Sequence, residues 1–413
     1  MINRVVISGL GAVSPLGHNV PSFIKGIRAG KSAVRQMNGW DEYTGLRSRV
    51  GAPSALINEK KIPRKNRRSM SRMSIFAVQA AQEALADAGL EFGICSTGRV
   101  ASIIGSTMGG AESLNETFEI MLPDKDLSRL TAMKFFQCVS HTAAMNVAQY
   151  LGITGSVMAT SAACASSLQA IGAGYDLIRL GRQDIALCGG AEELHPTVTG
   201  SFDILFATSI NYNDDPQSTP RPFDEKRDGL VCGDGSGIVV LEEYEHAKKR
   251  GAKIYGEIIG YNTCGNGFHV SQSDKKSMQR CLAAALTDAG ISPEDIDYIN
   301  AHATATLHGD KEEASAIKEI FGKSVPVSSL KGYIGHTLGA SGALELIASI
   351  FMMKKGIIYP TLNLETVSPE CRGICHVMEP LKKDIRILVK NCFAFGGINA
   401  VLVFKNGKYL NDQ

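Results

Sequence analysis

The hexapeptide ALADAG at residues 84–89 returns as ALTDAG at residues 285–290, about 200 residues further along the chain. Each copy closes a helical pattern, over residues 71–88 and 276–289, with a glycine of the kind that commonly ends helices. A short apolar run, which predicts a buried strand, follows each copy. The repeat therefore predicts that one helix-and-strand unit occurs twice in this fold.

A second pair of segments repeats in the same order. IALCGG at residues 185–190 and FAFGG at residues 393–397 each precede a further predicted strand. Chance readily produces one matched hexapeptide, but it less readily produces a matched order of units. We therefore expect two related α/β halves, residues 1–250 and 251–413, whose sheets pack across helices.

The rest of the chain alternates short apolar runs with longer helical patterns, which predicts an α/β protein with buried strands. The predicted strands lie at residues 5–8, 100–104, 184–187, 237–241, 253–259, 296–300, 325–328, 385–389 and 400–404. The predicted helices lie at residues 71–88, 165–180, 276–289 and 342–355. No low-complexity linker separates the two halves.

Composition narrows the class of protein. The chain has 413 residues, of which 44% are hydrophobic and 20% charged, so a large core is feasible and intrinsic disorder is excluded. A net charge of +2 disfavours nucleic-acid binding. No apolar run approaches the roughly 20 residues that span a bilayer, and no signal peptide is evident. Ten scattered cysteines do not resemble a disulfide scaffold, so we expect a soluble, reduced, cytoplasmic protein.

A cysteine stands at the predicted start of one helix. Cys164 lies in TSAACASS, residues 160–167, among small residues that would let a substrate approach. A helix N-terminus favours the thiolate, so the pKa of Cys164 can fall below that of a free thiol. The competing interpretation is a buried cysteine that packs as a small hydrophobic residue.

Two histidines lie in comparable turns. His302 follows a predicted strand in NAHATAT, residues 300–306, and His336 precedes a predicted helix in KGYIGHTLG, residues 331–339. Catalytic groups gather at the carboxyl ends of strands in α/β sheets. One loop histidine is more often structural, but two of them with Cys164 indicate covalent catalysis through a thioester, with imidazoles handling charge on a carbonyl oxygen.

These segments, together with NCFAFGGIN at residues 391–399, resemble the signature motifs of the β-ketoacyl-[acyl carrier protein] synthases. The similarity extends over nearly the whole chain and is greatest to the elongating type I and type II condensing enzymes. It implies a thiolase-like α/β fold with α-β-α-β-α layers. It also implies decarboxylative condensation of acyl-carrier with malonyl-carrier, in fatty acid or specialised chain elongation. The implied partner is acyl carrier protein, which delivers the phosphopantetheine arm, so no permanently bound cofactor is expected.

The resemblance implies roles at the reacting centre. Cys164 matches the nucleophile that accepts the acyl chain. His302 and His336 match the pair that hydrogen-bonds the malonyl thioester oxygen while carbon dioxide leaves. Lys331 matches the lysine that supports the region of the second histidine. Phe395 matches the aromatic gate beside the cysteine, and its backbone N–H, with that of Cys164, would form the oxyanion hole.

The resemblance also implies how substrate is held. Thr304 and Thr306 match residues that hydrogen-bond the pantetheine arm. Met108 and Phe202 match positions along an acyl tunnel near a dimer interface. The implied assembly is a homodimer, with a heterodimer that includes a chain-length-type partner as the alternative.

A basic run, KKIPRKNRR at residues 60–68, carries six cations in nine residues. Such runs are commonly solvated loops, and the lack of interleaved aromatic residues disfavours nucleic-acid binding. Lys65 and Arg68 match docking positions for the acidic carrier protein. We therefore expect carrier docking at this run.

Five positions depart from the family pattern, which usually has glycine, serine, proline, serine and glycine where this chain has Ala303, Ala305, Leu307, Cys392 and Ala394. Each change alters bulk near the pantetheine channel or gate while every proposed reacting group remains. A specialised substrate, such as a polyene or another unusual chain, is therefore expected as an alternative to a housekeeping one.

Two other functions compete with condensation. A non-catalytic chain-length partner of a heterodimer would typically lack the nucleophile, so Cys164 disfavours it. A degradative thiolase is disfavoured because two histidines suit decarboxylation.

No metal is assigned from the sequence. Cys371 and Cys375 form the only close cysteine pair, and a zinc site would normally need a second pair. Asn300, Glu345 and Asn391 resemble positions near a buried monovalent cation in some relatives.

Overall fold

The longest apolar runs form strands that are covered on both faces. All nine residues of Val5–Val13 and all eight of Ile185–Glu192 are buried. Such strands are typical of α/β proteins with helices on both sides of the sheet. The computed structural model describes residues 2–54 and 57–410.

The strands are β1 (Val5–Val13), β2 (Arg35–Gln36), β3 (Val50–Gly51), β4 (Val100–Gly105), β5 (Val157–Met158), β6 (Ile185–Glu192), β7 (Gly235–Glu243), β8 (Gly256–Gly265), β9 (Tyr298–Asn300), β10 (Pro326–Ser328), β11 (Ile357–Ile358), β12 (Cys375–His376), β13 (Leu381–Lys382), β14 (Ile387–Ala394) and β15 (Ile398–Asn406). The α-helices are α1 (Val20–Arg28), α2 (Arg64–Arg67), α3 (Arg72–Asp87), α4 (Ala111–Met121), α5 (Ala132–Cys138), α6 (Thr142–Leu151), α7 (Ser166–Arg179), α8 (Pro196–Ile204), α9 (Tyr244–Lys249), α10 (Lys275–Ala289), α11 (Leu307–Phe321), α12 (Lys331–Ile334) and α13 (Ser341–Lys355).

The two halves share one strand order and one set of strand directions. The first half runs β5-β4-β6-β7-β1 across the sheet, and the second runs β10-β9-β14-β15-β8, with β12 outside β10. In each half the first two of these pairings are parallel and the last two antiparallel. The two related α/β halves predicted from the repeated hexapeptides are confirmed. The predicted boundary at residue 250 falls between β7 and β8.

The half-sheets are joined rather than separate, which the sequence did not predict. Val5–Ile7 of β1 pairs with Gly256–Ile258 of β8, so eleven strands form one hydrogen-bonded sheet. Each of these strands would otherwise be the edge of its own half. Their pairing satisfies backbone groups that an exposed edge would leave open.

Helices α7 and α13 form the middle layer, since each contacts strands of both halves. Twelve of the fifteen residues of α13 are buried, as expected for a helix that is enclosed on all sides. Helix α3 covers the outer face of the first half, and α10 covers that of the second. The α-β-α-β-α layering is therefore confirmed.

The four predicted helices agree with the structure to within one residue at each end. Side-chain caps and glycines explain this agreement. The Ser71 side chain accepts a hydrogen bond from the N–H of Ser74 at the start of α3, and Asp274 does the same for Ser277 in α10. Gly290 and Gly356 end α10 and α13 in the left-handed conformation.

No helix in the described ranges is long and apolar enough to cross a membrane.

The second sequence echo identified the right strands but matched the wrong residues. Gly190 lies inside β6, paired with Gly237, whereas Gly396 and Gly397 form the turn between β14 and β15. A Cβ at Gly190 would lie 2.1 Å from the carbonyl oxygen of Gly339, so close packing requires that glycine. The turn glycines instead adopt φ values of 84° and 70°. The same residue type therefore serves two different purposes.

Candidate active site

Cys164 lies in a single 3₁₀ turn, Ala163–Ala165, directly before α7. Ala163 adopts a φ of 47°, which costs of order 1–3 kcal/mol in a residue other than glycine. The Ser166 hydroxyl holds this turn, accepting from the N–H of Ala162 at 2.9 Å and donating to the carbonyl of Ala163 at 2.7 Å. The strained turn therefore fixes Cys164 at the start of the helix.

The second half contains the corresponding turn. Leu338–Ala340 is a 3₁₀ turn directly before α13, and Leu338 has a φ of 46°. His336 lies two residues before Leu338. The cysteine and this histidine thus enter the site from related turns of the two halves.

The structure brings the three predicted reacting groups together. His336 Nε2 lies 2.9 Å from Cys164 Sγ, and the rings of His302 and His336 are 5.2 Å apart at an interplanar angle of 79°. The exposed fractions of Cys164, His302 and His336 are 4%, 5% and 0%. A substrate must therefore reach them through a cavity.

Burial raises the pKa of Cys164 to about 12, and the nearby charge of Lys331 opposes this only in part. The sequence prediction that the helix N-terminus would lower this pKa is wrong. The cost of removing a thiolate from water exceeds the stabilisation from one helix end. A pKa this high favours the protonated thiol of Cys164 at neutral pH.

Both histidines are held neutral. Burial, then the charge of Lys331, lowers the pKa of His302 and His336 well below the ordinary value, and Lys390 adds to the effect. A neutral imidazole donates a hydrogen bond through one ring nitrogen and accepts one through the other. Neither Nδ1 has a hydrogen-bond partner within residues 2–54 and 57–410. Both rings can therefore act as neutral donors or acceptors toward a substrate.

Lys331 belongs to a buried ionic network. Its Nζ lies 2.6 Å from Glu345 Oε1, while Lys390 Nζ lies 2.6 Å from Glu345 Oε2, and all three side chains are fully buried. Burial favours a raised pKa for Glu345, but the charges of the two lysines outweigh it and lower that pKa. Lys331 thus acts on the reacting centre through its charge.

The sequence interpretation missed Lys390. A usable signal was present, because a lysine stands within the apolar run ILVKNCFA at residues 387–394, which forms β14. A charged residue inside a buried strand requires a buried partner.

Glu313 fixes the loop that carries His302. Its carboxylate accepts hydrogen bonds from the N–H of His302 at 2.8 Å and of Ala303 at 2.7 Å. The Asn391 side chain donates a third bond, at 3.0 Å. These bonds give Glu313 a structural part in the site.

A small cavity opens onto the reacting groups. Phe395 is half-buried in its wall and stacks on Phe202, with ring centroids 5.9 Å apart. The hydroxyls of Thr304 and Thr306 lie 3.1 Å apart. Seven predicted residues line this cavity, namely Cys164, Phe202, His302, Thr304, Thr306, His336 and Phe395. Lining residues that the sequence did not single out include Leu230, Ser273, Met278 and Phe393.

Met108 does not line this cavity in the single chain, and 42% of its surface is exposed. Its loop is nevertheless tied to the site. The carboxylate of Glu192 accepts hydrogen bonds from the N–H of Thr107 at 2.9 Å and of Gly339 at 3.0 Å, which joins this loop to the turn after His336. The role of Met108 in an acyl tunnel stays a prediction.

Lys65 and Arg68 are exposed, within and directly after the short helix α2. Neighbouring Arg67 is instead engaged by Glu59, at 2.9 Å. Five of the six cations of the basic run therefore face solvent, Lys65 and Arg68 among them, and the part of these two in carrier docking stays a prediction.

Within residues 2–54 and 57–410, only Cys164, His302 and His336 form a group of three or more residues that could hold a metal ion, with ligand atoms within 4.8 Å of one another. The ammonium groups of Lys331 and Lys390 lower the pKa of both histidines by their charge, and the same charge disfavours a dication there. At the close cysteine pair Cys371 and Cys375, the neighbouring His376 hydrogen-bonds the backbone carbonyl of Cys371 at 2.9 Å. The geometry therefore favours a reacting thiol over a metal centre.

Comparison with known proteins identifies the family. Residues 2–247 match the model of the beta-ketoacyl synthase N-terminal domain, and residues 255–365 match that of the C-terminal domain. The chain belongs to the beta-ketoacyl synthase family. It is 34% identical to 3-oxoacyl-[acyl-carrier-protein] synthase 1 of Haemophilus influenzae, over 98% of this chain and 99% of the relative.

Solved structures show the same fold. A beta-ketoacyl synthase from Burkholderia phymatum STM815 is 44% identical with a TM-score of 0.94, covering 98% of this chain and 99% of that one. The ishigamide ketosynthase/chain length factor is 30% identical with a TM-score of 0.91. A type II polyketide ketosynthase in complex with its acyl-carrier protein is 33% identical with a TM-score of 0.90. The last two each cover 98% of this chain and 100% of theirs. The thiolase-like fold is therefore confirmed.

Proposed function

We propose that this chain condenses acyl-[acyl carrier protein] with malonyl-[acyl carrier protein], giving 3-oxoacyl-[acyl carrier protein] and carbon dioxide. The observation that carries the proposal is the contact of Cys164 Sγ with His336 Nε2 at 2.9 Å, with His302 beside it in one buried cavity. The printed name of the Haemophilus influenzae relative supports the same acyltransferase reaction.

In the first half-reaction the thiol of Cys164 attacks the carbonyl of the acyl thioester. The carbon–sulfur bond to the carrier breaks, the acyl chain stays on Cys164, and the thiol proton ends on the pantetheine sulfur. His336 Nε2 is within hydrogen-bond distance of Sγ, so it can accept that proton during the attack and return it to the leaving thiolate.

In the second half-reaction malonyl-carrier loses carbon dioxide and becomes an enolate. Neutral His302 and His336 donate hydrogen bonds to the enolate oxygen as its charge develops. The carbanion then attacks the acyl carbonyl and forms the new carbon–carbon bond, the carbon–sulfur bond to Cys164 breaks, and the sulfur takes up a proton from solvent. The backbone N–H groups of Cys164 and Phe395 are the proposed oxyanion donors.

Residues that line the cavity are proposed to bind the delivered substrate. Thr304 and Thr306 would bind the pantetheine arm. The two glycines after Phe395, the proposed gate, form the turn between β14 and β15. No resident cofactor is required, because the arm arrives on the carrier. The complex of a related ketosynthase with its acyl-carrier protein supports this partner, and exposed Lys65 and Arg68 suit an acidic one.

A dimer would complete the acyl tunnel. Strand β5 is one of the two edges of the sheet, and its side chains Val157 and Met158 are 47% and 43% exposed. An exposed apolar edge favours pairing with another chain. We propose a homodimer, with a chain-length-type partner as the alternative that the ishigamide relative's name supports.

Ten free cysteines are consistent with a cytoplasmic location.

The decisive experiment incubates the protein with acyl-carrier and records intact mass. An acyl adduct on Cys164, followed by 3-oxoacyl-carrier after malonyl-carrier is added, is the expected result. No adduct would favour the non-catalytic partner, and cleavage of a 3-oxoacyl thioester without decarboxylation would favour a thiolase. A panel of saturated, unsaturated and polyene acyl-carriers would then separate a fatty acid enzyme from a specialised one.

A further inference from the structure

The ammonium of Lys390 lies at the centre of the buried network behind the reacting groups. Its Nζ is 2.6 Å from Glu345 Oε2 and 2.6 Å from the backbone carbonyl oxygen of Asn391. The side chain is fully buried. We propose that Lys390 is a built-in counter-ion for Glu345, so that this protein needs no bound monovalent cation at that position.

The donor set explains why a bound cation does not fit. Sodium and potassium bind oxygen ligands, and the resemblance places a monovalent cation of some relatives near Asn300, Glu345 and Asn391. Two of these oxygens, on Glu345 and on the backbone of Asn391, already contact the ammonium at hydrogen-bond distance. An ion could take them only if the side chain of Lys390 left.

The strand register shows what would remain without that side chain. Lys390 of β14 pairs with Asn300 of β9, so the two residues are neighbours across parallel strands. Asn300 Oδ1 is buried and has no hydrogen-bond partner among the described residues. Removal of the lysine side chain would therefore leave oxygens of Glu345 and Asn391 without their ammonium, beside the strand position of Asn300.

The network also joins the two segments that shape the site. Lys331, on the other oxygen of Glu345, lies five residues before His336, and Lys390 lies five residues before Phe395. A carboxylate that loses one of two buried counter-charges is strongly destabilised unless a cation replaces it. Loss of Lys390 should thus create a dependence on monovalent cations that the native chain lacks.

The test compares thermal unfolding of the full chain, Lys390→Ala and Lys390→Met in potassium chloride, sodium chloride or choline chloride at equal ionic strength. We expect the native Tm to be the same in all three salts. Lys390→Ala should unfold several degrees lower in choline, with a Tm that rises saturably with potassium or sodium, as for a ligand that binds the folded state. Lys390→Met should be destabilised without this recovery, because its side chain fills the space.

A native Tm that is higher in potassium or sodium than in choline would overturn the proposal, and this comparison stands even if the variants fail to fold. A Lys390→Ala Tm that ignores the cation, or a Lys390→Met Tm that responds equally, would also overturn it. Release of carbon dioxide from malonyl-carrier is measured alongside. Its absence from the native protein would contradict the proposed function while leaving the unfolding result intact, so the two failures are distinguishable.

Discussion

Cys164 and His336 are 172 residues apart in the chain, yet Cys164 Sγ and His336 Nε2 are 2.9 Å apart. Each enters from the turn before a middle-layer helix, α7 for the cysteine and α13 for the histidine. These turns correspond between the two halves, and both contain a residue with positive φ. Neither half alone contains the reacting centre, so the contact forms only when the halves pack together.

Replacing Cys164 with alanine should abolish condensation but preserve decarboxylation of malonyl-carrier. The histidine pair, not the sulfur, stabilises the enolate in the proposed mechanism. Carbon dioxide release and 3-oxoacyl-carrier formation are measured on the same samples. A double variant with His302→Ala serves as control and should lose at least about tenfold in carbon dioxide release. A Cys164→Ala protein that binds malonyl-carrier yet releases no carbon dioxide would contradict this division of roles.

The resting thiol should be alkylated more slowly than a typical active-site cysteine. Because burial raises the pKa of Cys164 to about 12, the thiolate fraction grows about tenfold per pH unit throughout the neutral range. Iodoacetamide labelling of the Cys164 peptide, followed by mass spectrometry from pH 7 to pH 9, should show this rise. Labelling of Cys138, which is partly exposed, is the internal control that the reagent is active. Labelling that is fast and constant across this range would indicate a resting thiolate instead.

Decarboxylation by the Cys164→Ala variant should remain constant as the pH falls from 8 to 6. The pKa values of His302 and His336 lie well below 6.5, so both rings stay neutral and only more acidic conditions protonate them. Lys331→Met removes a positive charge that lowers both values, so it should move the acid limb of the rate profile to higher pH. Lys331→Arg keeps the charge and should leave that limb in place. A Cys164→Ala profile with a midpoint near 6.5 would be inconsistent with neutral, buried rings.

Charge reversal of two exposed cations of the basic run, Lys65→Glu with Arg68→Glu, should raise the KM for carrier-bound substrate about tenfold. Surface charge speeds the encounter with an acidic partner and is screened by salt, so the effect should shrink at high ionic strength. Activity on an acyl N-acetylcysteamine thioester, which lacks the carrier, should be unchanged. The matched control is Lys323→Glu with Lys382→Glu, two exposed lysines outside the basic run. An equal loss of activity with both substrate forms would mean that the basic run contributes to folding and not to carrier docking.

Met108→Ala should shift the preferred acyl chain to greater length, and Met108→Trp should shift it to shorter chains. One contact in an apolar pocket changes discrimination by about 1–3 kcal/mol, so graded preferences are expected. Rates of acyl transfer to Cys164 are measured across a chain-length series, before malonyl-carrier is added. Met378→Ala, at another exposed methionine, is the control. An unaltered length profile in both Met108 variants would mean that this residue does not line the tunnel.

Local sequence patterns determined much of this structure. The helix bounds follow from side-chain caps and closing glycines, and the strands follow from buried apolar runs, because these signals act over a few neighbouring residues. The repeated hexapeptides indicated two related halves, and the motifs identified Cys164, His302 and His336. Strand ends were predicted less well, since β1 continues to Val13 where the apolar pattern suggested Ser8. A strand's length depends on the neighbours that pair with it.

Tertiary structure alone decided the electrostatics of the site. The sequence placed Cys164 at a helix start, which favours a thiolate, but burial by residues distant in the chain raises its pKa instead. Nothing local shows that Lys331 and Lys390 share Glu345, or that β1 and β8 join two half-sheets into one. Desolvation and Coulomb interactions act through space between groups that only packing brings together, whereas caps, turns and periodicity act along the chain.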